Sequence, residues 1–557
     1  MADVKVEGVS GALRDNVFAH LTLDEAPCDA PAWRVRRLRR KAEAETRTAL
    51  EAFGYYEPTI AIAHEVRDDC WVTTIRIKRG KPVRLRQIDV TVLGDAGGEP
   101  AFQRWLQQNP LKSGAVLKHA EYETFRQGFT TLARRYGYFS ARFTTARIEV
   151  HPPERAADVT LQFDSGPRFR FGDIRFEQSV LRPELLGRFL EFQPGDPYDG
   201  ARIEELYDAL LATGYFSVVD LRTQPGVLPD DTVQVTVTLT GAKPKVYTAG
   251  IGYSTDVGPK LRAGFTNRRL NDRGHQFDAS LSLSRVLSEV GVSYRLPRDN
   301  PRVEWLSVDA GIQHEDTDTS ESWIYKIGVR ELHRRPRGWI ETRFIDASLE
   351  RFEIADERNR EFMLTPGVSW SHKVPEGAAV MRPERGHRVS LKLSGTGGML
   401  ASNAEFLQLG LNGKLVLPAW AGARVLLRSE FGATAKEEFR ALPASVRYFA
   451  GGDNSVRGYD FKTLGPTDEN GNVIGGSHLF VASLEVDQRV RGNWSVAAFF
   501  DSGNAFDSFS SVSLKSGAGA GLRWYSPLGP VRIDVAVPLD KDAPDDWRLH
   551  VTLGPDL

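Results

Sequence analysis

Cysteine is nearly absent from this 557-residue chain: there are two, Cys28 and Cys70, both close to the N-terminus. Eleven histidines are scattered without ligand-like spacing, so no zinc or other metal site is expected, and no cofactor. Neither sign of charge is in excess. With 72 Lys+Arg against 73 Asp+Glu the net charge is −1, which excludes nucleic-acid binding driven by bulk positive charge. Long hydrophobic runs are missing too: the best stretch, Val416 to Leu427, is broken by Pro418 and Arg424 and falls short of the ~18 residues of a membrane-spanning helix. The opening Met1-Ala2-Asp3-Val4 has neither a charged n-region nor an apolar h-region, so an exported protein would have its signal peptide outside this sequence. A membrane β-barrel is untouched by these exclusions.

What is present begins with a repeat. Phe53-Gly54-Tyr55-Tyr56, Tyr136-Gly137-Tyr138-Phe139 and Thr213-Gly214-Tyr215-Phe216 recur about 80 residues apart, too far for solenoid units and right for tandem small domains. Each triplet follows a helical period, such as Tyr122, Phe125, Phe129, Leu132 and Tyr136, and its glycine reads as the helix C-cap. Two strand-like runs follow each time and close at Gly80, Gly166 or Gly241. The unit reads β-α-α-β-β, and three copies predict domains at 3–80, 81–166 and 167–243.

After Pro244 the helical period gives way to alternation. Phe277, Ala279, Leu281 and Leu283 alternate with Asp278, Ser280, Ser282 and Ser284, and Val531, Ile533, Val535 and Val537 share one face near the end. The opposite face is polar in segment after segment, as when one side of a barrel wall meets lipid and the other a wet lumen. Residues 245–557 divide into strand-plus-connection units of about 20 residues if there are sixteen strands. Eight of the eleven tryptophans fall here, several at the ends of alternating runs, as an interfacial girdle requires. The expected fold is therefore α+β tandem modules followed by a transmembrane antiparallel β-barrel of sixteen strands, in an outer membrane with the modules in the periplasm. In that oxidising compartment Cys28 and Cys70 are expected to form a disulfide.

A polar, glycine-rich stretch, Gly451-Gly452-Asp453-Asn454-Ser455-Val456-Arg457-Gly458-Tyr459, sits in a long loop from about Phe449 to Ser477. Further on, Glu485 and Asp501 alternate with apolar neighbours, which points both into the lumen. Two half-buried carboxylates want a cation. Arg457 fits, because a planar guanidinium bridges two carboxylates with paired hydrogen bonds as Lys cannot. No G-x-S-x-G or H-E-x-x-H occurs, and no enzymatic activity is expected; Asp453, His478 and Ser455 or Ser477 form a triad only on paper.

Val456-Arg457-Gly458-Tyr459 resembles the VRG(F/Y) loop motif of the Omp85 superfamily, Phe499-x-Asp501-x-Gly503 resembles its F-x-D-x-G strand motif, and Gly517 to Asp534 its penultimate-hairpin signature. The repeats resemble POTRA domains. That resemblance implies a loop lock made by Arg457, Gly458 and Tyr459 with Glu485 and Asp501 as wall partners, none of them catalytic. Three modules most resemble the outer-membrane subunits of translocation and assembly modules. This implies an elongated, TamB-like inner-membrane-anchored partner, and unfolded outer-membrane proteins or autotransporters as clients.

The mechanism expected from the sequence rests on a weak seam. The last strand ends Leu553-Gly554-Pro555, where glycine loosens and proline lacks a ladder donor. Its junction with the first strand, represented by Gly252 and Val551, is the expected site of lateral opening toward membrane lipid, where a free edge would template a client strand. An envelope phospholipid conduit, a two-partner-secretion-type transporter and a passive porin are the competing readings.

Overall fold

A computed structural model describes residues 3–553 apart from 25, 28–29, 68–69, 227–229, 375–381, 401, 437, 527–528, 542 and 544. Cys28, the side chain of Cys70, Gly554 and Pro555 lie outside the described residues.

The first module runs strand Asp3–Glu7, helices Ala12–His20 and Ala32–Glu51, and strands Thr59–Arg67 and Cys70–Lys78. Its first and third strands pair in parallel and its second and third antiparallel, so the third is central. The same order recurs in the sheets Arg84–Leu93, Arg142–His151, Ala156–Asp164 and Arg170–Glu177, Phe216–Pro225, Thr232–Gly241. Apolar residues at helical spacing explain the packing: Val35, Leu38, Ala42, Ala49 and Leu50 bury one stripe of the long helix over Ile75 and Ile77. In the second module Phe102, Phe125, Phe129 and Phe163 interlock, each burial stabilising by about 2–3 kcal/mol. Gly137 ends the helix His119–Tyr136 at φ 80°, its N–H bonded to the Ala133 carbonyl, a left-handed cap that favours glycine.

The second half closes into a sixteen-stranded antiparallel barrel, from Lys245–Ser254 to Arg548–Leu553. Along Trp494–Phe506 the alternation is plain: Trp494, Val496 and Phe500 are exposed on the outer wall, whereas Ser495, Asp501 and Gly503 face a filled interior. Trp494 stacks on Trp524 of the next strand with centroids 5.8 Å apart, at the end where the chain enters the barrel. Two segments of the third module, 178–190 and 208–219, belong to the same compact unit as the barrel. Arg182 pairs there with Asp272 (2.7 Å), and the Tyr215 hydroxyl donates to the Gly274 carbonyl.

Candidate functional site: an arginine-anchored loop and the barrel seam

The long loop is larger than the sequence implied, connecting the strands Ala423–Lys436 and His478–Arg491 through 437–477. Its own ladder fragments, Tyr448 with Gly476 and Ala450 with Leu464, give it a defined shape. Buried Arg447 ties its limbs together by donating to the carbonyls of Leu442, Ile474 and Arg440 and to Glu357 on the wall.

The tip delivers Arg457 to four wall strands: His478–Arg491, Trp494–Phe506, Lys515–Ser526 and Gly529–Pro538. Arg457 Nε and Nη2 donate to the two Asp501 oxygens (2.7 and 3.0 Å), its backbone N–H adds a third bond to Asp501 (3.2 Å), and Nη1 reaches Glu485 (2.9 Å) and Asp534 (3.0 Å). The guanidinium lies 3.4 Å above the Phe499 ring. Arg457 and Asp501 are both buried, so this is a desolvated, fully bonded pair rather than a surface contact.

Asp534, Arg523 and Phe499 complete the arrangement and were not picked out as site residues from the sequence. Arg523 donates to Glu485 (3.0 Å) and to Asp534, so Glu485 is shared by two arginines. The signal for both was available: Arg523 and Asp534 interrupt apolar alternation with the same parity as Glu485. Gly517, Gly519 and Gly521 leave the notch that admits the loop. A Cβ at 517 would meet the Arg457 carbonyl oxygen, one at 519 the Phe499 ring, and one at 521 the Asp534 carboxylate.

Gly458 and Tyr459 fasten the tip further. Gly458, at φ 101° and close to Pro538, donates its N–H to His550 Nε2 (2.9 Å), and the Tyr459 hydroxyl donates to Asp540 (2.7 Å). Asp453 pairs with His550, not with His478, while Ser455 Oγ accepts from the Gly451 N–H, so the triad imagined from the sequence is not assembled. The basic stretch Arg34–Lys41 presents Arg34, Arg36, Arg37, Arg39, Arg40 and Lys41 to solvent while Val35 and Leu38 face the core.

The seam joins the first strand, Lys245–Ser254, to the last, Arg548–Leu553. The first strand pairs along its whole length with Gly258–Asn267; toward the last strand the ladder among the described residues is one pair, Ser254 opposite Thr552. Thr255 adds a clasp beyond it: its N–H donates to the Val551 carbonyl (3.0 Å), and the Val551 N–H donates to Thr255 Oγ1 (2.6 Å). Val551 therefore faces Thr255. Gly252 and Val551 thus lie on the two strands of the seam, and by the same antiparallel register the residue facing Gly252 lies beyond the described end of the last strand. In the turn beyond the first strand, burial and the facing Asp453 push the Asp256 carboxyl up to about 8.

Tandem β-α-α-β-β modules followed by a barrel whose lumen is occupied by its own arginine-anchored loop define a class of outer-membrane proteins. The chain belongs to the Omp85 superfamily, whose domain matches residues 260–555, more than half of its length. Residues 3–79 match the first POTRA domain of the TamA type, and residues 169–240 match a POTRA domain described as a surface antigen variable number repeat. The outer membrane protein assembly factor BamA of Nitratidesulfovibrio vulgaris is 24% identical over 425 residues, which cover 73% of this chain and 53% of that one. BamA of Neisseria meningitidis serogroup B is 22% identical over 569 residues, covering 88% and 69%. The chain thus spans about half the length of the first of these relatives and about two thirds of the second. The crystal structure of Haemophilus ducreyi BamA lacking POTRA domains 1–3 superposes with a TM-score of 0.68 at 18% identity, over 84% of this chain and 99% of that one, and supports the fold.

Proposed function

We propose that this protein is an outer-membrane assembly factor that inserts or secretes β-barrel clients through the seam between its first and last strands. The observation that carries the reading is that, among the described residues, the first strand meets the last at one ladder pair, Ser254 and Thr552, while its other side is paired along its whole length. Parting of the two strands would free backbone groups of the first strand as an edge that an incoming strand can extend, with main-chain hydrogen bonds supplying affinity without sequence specificity. Exposed Tyr247 and Ile251 give that edge apolar side chains for a client strand to cover. The Arg457 lock keeps the loop in the lumen while the wall parts elsewhere. The match of residues 3–79 supports a TamA-type role, with a TamB-like partner reaching from the inner membrane, over a BamA-type role.

A tether tests the reading. In a background with Cys28→Ser and Cys70→Ser, Ser254→Cys and Thr552→Cys stand at directly opposed positions, within the ~7 Å that a disulfide requires. Oxidation is expected to stop insertion of a barrel client into liposomes, and reduction to restore it. Full client insertion by quantitatively tethered protein would remove lateral opening from the account.

A further inference from the structure

The loop tip touches more than the wall that anchors Arg457. Asp453, four residues upstream, is shared between the two strands of the seam. Its N–H donates to both Asp256 oxygens (2.9 and 3.1 Å) and its Oδ2 accepts from the Asp256 N–H (3.3 Å), a reciprocal pair on the turn that follows the first strand. Its Oδ1 lies 2.6 Å from His550 Nδ1 on the last strand. The backbone N–H of Gly458 can only donate, so His550 Nε2 is the acceptor there, and Nδ1 carries the proton it gives to Asp453. One carboxylate thus holds both sides of the seam, and both are held to the loop.

The surroundings are built for this approach. Gly452 has φ 104°, and a Cβ there would sit 2.7 Å from the Asp256 carboxylate, so the loop comes close only because the residue is glycine. Asp453 and His550 are buried, with 6% and 2% exposure. Arg548, next but one to His550 on the last strand, pairs with Asp460 of the same loop. Asp256, Asp453 and His550 bring ligating atoms within 4.8 Å of one another, as a cation site would. Both His550 nitrogens and the Asp453 and Asp256 carboxylates are nevertheless already engaged in hydrogen bonds, so the cluster is complete as a clasp.

We propose that Asp453 and His550 form a latch that holds the seam closed, so that lateral opening requires the loop tip to release the last strand while Arg457 stays seated. The inference rests on the seam reading above and adds the element that controls it. Among the described residues the main-chain contacts at the seam are one ladder pair and the Thr255 clasp, and the bonds through the loop add to them. A client strand competing for the first strand's edge would then act against the latch.

The test uses the full chain in liposomes with Ser254→Cys and Thr552→Cys in the cysteine-free background, reading the rate of disulfide formation under a fixed oxidant. Asp453→Ala and His550→Ala are expected to slow cross-linking about tenfold, the equivalent of one charge-assisted hydrogen bond lost from the closed state. Asp453→Asn is expected to slow it less than Asp453→Ala, because its amide oxygen still accepts from His550 Nδ1 while its amide nitrogen no longer accepts from the Asp256 N–H. The alanine variants lie on different elements, so a folding failure in one leaves the other to decide. Parent-like rates in both alanine variants would overturn the latch. Slowing of the parent by EDTA, or of Asp453→Asn as much as of Asp453→Ala, would overturn it in favour of a bound cation. Client insertion by the oxidised parent is read separately, so a seam that is latched but plays no part in insertion is distinguished from a seam that is not latched.

Discussion

Gly517 lies directly beneath the backbone of Arg457, so close that a β-carbon at 517 would fall on the Arg457 carbonyl oxygen. The loop is therefore held by shape as well as charge: the guanidinium meets its carboxylates only because the strand opposite Asp501 has no side chain at that height.

Gly517→Ala is expected to unseat the tip and cost about 1–3 kcal/mol, the usual penalty for overpacking a filled interior. Gly410→Ala, in a strand where an added Cβ meets nothing within 4 Å, is the control and is expected to be neutral. Urea unfolding followed by circular dichroism, together with protease cleavage at Lys462 in the loop, checks both. Equal protection of the loop in the two variants would show that the notch does not matter.

Replacing Arg457 separates charge from geometry. Arg457→Ala leaves Asp501 buried with its closest cation gone and is expected to cost about 3–5 kcal/mol, as breaking a buried pair does. Arg457→Lys keeps the charge but cannot bond both Asp501 oxygens while reaching Glu485 and Asp534, so it is expected to fall between alanine and the parent. High salt is expected to rescue neither, because buried pairs are poorly screened. A lysine variant with parent-like unfolding would reduce the lock to simple charge neutralisation.

The modules and the barrel were legible because each rests on a period. Phe125 and Phe129 lie on one helical face, and Val531 and Ile533 on one side of a strand, so residues a few positions apart reveal where the core or lipid lies. Glu485 and Asp501 were legible for a related reason, a charge placed against the apolar parity of its own strand, and Arg457 was legible as the cation that such a pair of carboxylates needs. Asp453 and His550 were not. They are 97 residues apart, and Asp453 is 197 from Asp256, so only closure of the barrel and the inward fold of the loop bring them together. Local pattern carries no trace of such a meeting. The register that places Val551 opposite Thr255 was hidden likewise, because it depends on how far the last strand has slid along the first.

The latch should respond to pH, with a sign set by Asp256. Its carboxyl titrates near 8 when buried against Asp453, and near the ordinary ~4 when the tip lets go and water reaches it. Closing the latch therefore takes up a proton at any pH between these values. Closure is most favoured at acidic pH, weakens as pH rises through this window, and stops changing above about 8. The groups facing Asp256 fix the background: Asp453 and Asp460 from the loop, Arg548 and His550 from the last strand, and Arg285, Asp316 and Asp318 from neighbouring turns. Of these Asp453 opposes ionisation of Asp256 and Arg548 favours it, the repulsion being the larger. Spin labels on cysteines replacing Tyr253 and Leu549, both exposed on the outer wall, report the width of the seam without depending on thiol chemistry during the measurement. The distance distribution is expected to lengthen and broaden from pH 5 to pH 8 and to change little beyond. Asp256→Asn, which cannot ionise and still accepts from the Asp453 N–H, is expected to stay narrow throughout. A distribution that narrows with rising pH, or the same broadening in Asp256→Asn, would assign the pH response to another group and leave Asp256 a bystander in the clasp.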